Sequence, residues 1–162
     1  MTIYASAGAK LYIGTTKEQK SGDFVLADFS AANAVTWKQV KEIEALGSVG
    51  DTSEAIAFTA IDDARTRKLK GPRDAGTMEI VCGIDAEDEG QQAIIAAEKT
   101  IFDYEFRLVL NDAPPGGTPS ERLFIAKVMS QSEQYDQANS VMKLNISLGV
   151  NSNVVRVNRA EP

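Results

Sequence analysis

The stretch "IDDARTRKLKGPRDAGTMEI", Ile61 to Ile80, gathers Arg65, Arg67, Lys68, Lys70 and Arg73 against Asp62, Asp63 and Asp74. From Asp62 to Thr77 the net charge is +2 in a chain of net charge -6, so the other residues sum to -8. Cations at this density can neutralise phosphates with release of counterions, grip an acidic protein face, or sit solvated. The run has no aromatic side chain to stack on bases and three aspartates dilute it, which counts against DNA. Mixed charge on a long connection between two strands favours a protein contact, and the acidic remainder of identical copies offers a complementary surface. A simple solvated loop stays open as the alternative.

Other chemistry is thin. "GPRDAGT" has the glycine spacing of a phosphate-binding loop, but Thr77 stands where the lysine should follow Gly76, and the segment leads into a strand rather than a helix. "DAEDEG" approaches a calcium loop through Asp85, Glu87, Glu89 and Gly90, yet the twelfth position, which needs a bidentate acid, is Ala96. The chain has no histidine, hence neither the commonest general base nor the commonest transition-metal ligand. Its one cysteine, Cys82, lies in the alternating run "MEIVCG" and reads as a buried packing residue. No catalytic residue, metal site or cofactor is expected.

The elements that would carry the basic segment read mainly as strands. "EAIAFTAI" (Glu54 to Ile61) precedes it and "TMEIVCGI" (Thr77 to Ile84) follows, each with alternate residues able to face a core. "DYEFRLVLN" would turn Tyr104, Phe106, Leu108 and Leu110 inward, and "ERLFIAKVM" would turn Leu123, Ile125 and Met129 the same way. "SVMKLNISLGV" sets Met142, Leu144, Ile146, Leu148 and Val150 against Lys143, Asn145 and Ser147. Such alternation predicts half-buried antiparallel strands. The proline- and glycine-rich "NDAPPGGTPS" reads as a hairpin tip, and "TWKQVKEIEALGSVGDTSE" as a bulged strand.

One helix is expected over "DAEDEGQQAIIAAEKTIF". Asp85 is placed as its cap, Glu87, Asp88 and Glu89 at its positive end and Lys99 near its last turn. Ile94, Ala97 and Ile101, with Ile95 and Phe102, form the apolar stripe. At 162 residues, 43% hydrophobic and 25% charged, the chain suits one globular domain. No apolar run approaches the roughly 20 residues of a membrane span. "MTIYASAGAK" lacks a signal peptide's basic start and apolar stretch, so a cytosolic site of synthesis is expected.

Taken in order, "ASAGAKLYIGT", "TWKQVKEIEALGSVGD", "VGDTSEAIAFTAIDDARTRKLKGPRDAGTMEIVCGID" and "DEGQQAIIAA" resemble the major tail tube proteins of long-tailed, non-contractile bacteriophages, from about Ala7 to Val150. The resemblance implies an antiparallel β-sandwich or barrel with one flanking helix, a single domain over 1–162, six copies per ring, and rings stacked into a tube that passes the genome. Some members carry a further immunoglobulin-like domain, which is not expected here. It implies an inter-ring loop at 62–76, with Arg65, Arg67, Lys68, Lys70, Arg73 and Asp74 as its contacts, and a C-terminal tail at 151–162. It further implies a virion location after assembly in the host cytoplasm, with other copies of the chain, the tape measure protein, and the tail tip and terminator proteins as partners. DNA would slide through without specific binding, past a negative lumen; Glu42 and Glu44, on one face of an extended "KEIEAL" strand, are the lumen candidates, with ordinary outer-surface acids as the other reading. The neighbouring readings are the inner tube of a contractile tail or type VI secretion system, and a small β-barrel for an apolar ligand.

Overall fold

A computed structural model of the chain describes residues 2–29 and 37–162; Thr36, the first residue of the tryptophan stretch, lies outside them. Eight strands form one antiparallel sheet: β1 (Lys10–Thr16), β2 (Lys38–Val40), β3 (Ile43–Ala45), β6 (Thr77–Gly83), β7 (Tyr104–Val109), β8 (Glu121–Gln134), β9 (Lys143–Val150) and β10 (Val155–Val157). Two more, β4 (Thr52–Thr59) and β5 (Thr66–Asp74), pair only with each other. The single α-helix among the described residues, α1, spans Glu89–Glu98. The architecture is mainly β with one helix, as the alternation predicts.

The sheet runs β2-β1-β7-β8-β9-β6-β3, with β10 against the first part of β8. Its two ends, β2 and β3, are consecutive in the chain and separated only by Lys41 and Glu42. Three peptide steps reach at most about 11 Å, so the chain itself draws the sheet into a barrel. Glu42 makes the turn with φ 58°, and its carbonyl accepts from the Gly83 amide at 2.8 Å. The stretch read as one bulged strand is therefore two short strands on opposite ends of the sheet. Glu42 and Glu44 do not share a face of one continuous strand.

The helix locks this seam. Asp88, 5% exposed, caps the Gln91 amide at 3.2 Å and accepts from the Lys41 amide at 2.9 Å. Gln91, 1% exposed, donates through Nε2 to the carbonyls of Lys41 (3.1 Å) and Gly83 (2.8 Å), and its Oε1 accepts from the Asp85 amide. The two buried polar side chains of the seam, Asp88 and Gln91, are thus paired, as burial demands. The cap is Asp88, not Asp85, because only Asp88 lies over both the helix start and Lys41. Ending at Glu98, the helix sends Ile94 and Ala97 into the core but leaves Ile101 and Phe102 outside its stripe, both exposed.

The main core takes Leu11 and Ile13 from β1, Met78, Ile80 and Cys82 from β6, Phe106 from β7, and Leu144, Ile146, Leu148 and Val150 from β9. Strand β8 serves two cores. Phe124, Ala126 and Val128 join the main one, Phe124 stacking on Phe106 at 5.7 Å, while Leu123 and Ile125 pack on its other face with Phe24 and Phe29. Leu123 and Ile125 therefore face away from Phe106, contrary to the expectation. The register shift between Val128 and Ser130 leaves Met129 exposed, and Met142, beyond the last β8–β9 pair, is exposed as well. The C-terminal segment is tied down: β10 pairs with β8, and Ala160 bridges Thr118.

Candidate functional site

The basic segment is half of a two-stranded arm. Its pairs run from Thr52↔Asp74 through Ala55↔Lys70, Ile56↔Leu69, Ala57↔Lys68 and Phe58↔Arg67 to Thr59↔Thr66. Residues 62–76 are thus not an unstructured loop: Thr66 to Asp74 is strand, and only the tip, 60–65, is turn. The register slips between Ser53 and Ala55, opposite Gly71 and Pro72. Proline has no amide hydrogen for the ladder, so the bulge falls where pairing is already interrupted. At the tip, Thr59 and Thr66 share a hydroxyl hydrogen bond of 2.8 Å.

Directly opposed residues share a face, so the arm is two-sided. One side carries Ile56, Phe58 and Leu69 with Arg67; the other carries Ala55, Ala57, Lys68 and Lys70. The apolar side is uncovered, with Phe58 58% and Leu69 61% exposed, and Ile61 at the tip is fully exposed. A lone two-stranded hairpin is at best marginally stable in water, and three exposed apolar residues on one face add a patch that a neighbouring surface would cover.

The expected contact residues divide. Arg73 reaches back to the body, pairing with Asp23 at 3.0 Å and Asp51 at 3.8 Å, and the Asp74 carboxylate accepts from the Gly76 amide at 2.8 Å. These two hold the base of the arm. Arg67 pairs with Asp63 at 2.8 Å across the turn. Arg65, Lys68 and Lys70 make no ion pair among the described residues, leaving three exposed cations on the outer arm. The sequence reading missed Ile56, Phe58 and Leu69 as site residues. Their alternation was visible, but alternation does not say whether a face is covered by the same chain.

Glu44 pairs with Lys143 at 2.8 Å; Glu42 is exposed and makes no ion pair among the described residues. The barrel interior is filled by side chains, and a cleft of about 470 Å3 lies outside it, at the base of the arm, among polar residues including Gln19, Lys20, Asp23, Asp51 and Arg73. An apolar-ligand barrel would need its cavity inside.

No protein-family model matches the chain, and no curated protein matches it. Among solved structures it is similar to a chain of the anti-feeding prophage baseplate, with TM-score 0.69, 10% identity and 98% of each chain covered. A chain in the sheath/tube terminator of an extracellular contractile injection system, PVC, gives TM-score 0.68 and 9% identity over 97% of this chain and 98% of that one. The SPP1 tail tube gives TM-score 0.58 and 16% identity over 94% of this chain and 78% of that one. The chain has the fold found in these tail and injection-system assemblies.

Proposed function

We propose that the chain is the repeating structural subunit of a phage tail tube of the long-tailed, non-contractile type, closing six at a time into rings that stack into a conduit for the genome. One observation carries it: an amphipathic arm leaves the barrel without pairing to its sheet, and keeps its apolar face uncovered. A monomer gains nothing from such an arm, whereas in a polymer each copy's arm covers its apolar face on a neighbour. The likeness to the SPP1 tail tube over nearly the full chain supports the tube, and the six-fold symmetry of the anti-feeding prophage baseplate supports the ring number. The role is structural rather than enzymatic, and the tape measure, tail tip and terminator proteins are the proposed partners.

In that tube the -8 outside the basic segment is turned partly inward, so that DNA phosphates are repelled and the duplex slides. Glu42 is the stronger lumen candidate of the assigned pair, since Lys143 offsets Glu44.

A second reading, the tube of a contractile system, is favoured by the TM-scores of 0.69 and 0.68 to the baseplate and sheath/tube terminator chains, above the 0.58 to the SPP1 tube. Electron microscopy decides both. Purified protein is expected to form rings or tubes of constant diameter, and virions or particles should carry them without a sheath. A sheath around the tube selects the second reading, and a strict monomer that also fails to polymerise with tail-tip components overturns both.

A further inference from the structure

The turn between β8 and β9 mirrors the arm in chemistry. It extends past the last ladder pair, Gln134↔Lys143, and exposes Tyr135 (58%), Val141 (68%) and Met142 (54%). From Ser130 to Met142 the only charged residues are Glu133 and Asp136. Glu133 accepts from the Tyr135 hydroxyl and Asp136 from the Gln134 amide, which hold both carboxylates beside the apolar group. An acidic, apolar turn thus stands against a cationic, apolar arm.

Strand β6 fixes where the two lie. The arm joins β6 at Thr77, opposite Gly149, whereas the β8–β9 turn sits beyond the other end, where Gly83 faces Lys143. Seven residues of strand separate these ends by about 20 Å. Complementary surfaces at opposite ends of one molecule meet head to tail between copies, a heterologous contact that leaves each copy with a free end for the next.

We infer that the β8–β9 turn of a second copy is the acceptor for the arm: Ile56, Phe58 and Leu69 seat on Tyr135, Val141 and Met142, with Arg67 on the same face and Arg65 at the tip facing Glu133 and Asp136. This rests on the tube reading and names the surface that receives the arm.

The test uses full-length chain. Glu133→Lys with Asp136→Lys should lower the polymer mass at least about tenfold, and adding Arg65→Glu with Arg67→Glu should restore it. All four positions are exposed, and a cooperative unfolding transition checks that each variant is folded. A Phe58→Cys, Met142→Cys chain, oxidised in its assembled state, should give a ladder of disulfide-linked oligomers, since Cys82 is buried. Normal tubes from the reversed variant, with no ladder, overturn this acceptor and leave the tube reading standing. Absence of any ring or tube from the unaltered protein, with tail-tip components present as well, overturns the tube reading, and the acceptor with it.

Discussion

Gly90 lies against Gln39 so closely that a Cβ on Gly90 would sit 2.1 Å from the Gln39 carbonyl oxygen. Helix α1 meets strand β2 backbone to backbone at the seam, and glycine is required there for space rather than for its dihedral freedom.

Gly90→Ala must push the helix off the seam. The obstacle is backbone, which cannot rotate away, so the cost is roughly 3 kcal/mol, or a fall in melting temperature of about 10 °C for a chain of this size. Thermal and urea unfolding measure it; a change within experimental scatter would show that the helix adjusts freely.

Gln91→Leu keeps the volume and removes the amide. The carbonyls of Lys41 and Gly83 and the Asp85 amide then lose their partner at a buried site, for a loss of about 3 kcal/mol. Hydrogen exchange should show Gly83 and its neighbours opening earlier while the β8–β9 ladder stays protected.

Glu105 is 2% exposed and its Oε2 has no hydrogen-bond partner among the described residues. Desolvation pushes its carboxyl above the usual range, against the opposing charge of Lys17. The protonated form is favoured in the folded state, so its stabilisation is present below the ordinary glutamate range and is lost as pH rises through the raised folded value. Glu105→Gln should therefore raise the denaturation midpoint at neutral pH, and the gain should vanish in acid. A gain that stays constant with pH would show that the charge is not its source.

Cys82 is fully buried and burial pushes its thiol up to about 11. At pH 8 almost no thiolate is present and no reagent reaches it, so disulfide reagents should leave the native protein unmodified and titrate one thiol after denaturation. Labelling without denaturant would mean that β6 opens locally.

Phe58→Ala with Leu69→Ala should leave the fold within about 0.5 kcal/mol of the parent, since both side chains are exposed and away from either core. Assembly should be lost. If the cooperative transition weakens instead, the arm's apolar face contributes to the monomer after all.

Strand content, the long hairpin across the "NDAPPGGTPS" turn and the helix were legible because alternation and helical spacing are local properties of the chain. The burial of Met78, Ile80 and Cys82 follows from the same local pattern. "EAIAFTAI" alternates just as well, yet it is exposed, because periodicity tells which residues share a face and not what covers it. Burial on both faces of β8, at Phe124 and Ile125, was hidden because a strand between two cores has no polar side to mark. The sequence pointed to Asp85 as the cap; the position of Lys41, 47 residues from Asp88, made it Asp88 instead. The charge of the basic segment was set by its composition alone, but its division into a base held by Arg73, a paired Arg67 and free outer cations came only with the tertiary fold, which brings Asp23 and Asp51 to the foot of the arm. Residue types determine what each face can bind, and only the packing of distant segments decides which faces are left to bind it.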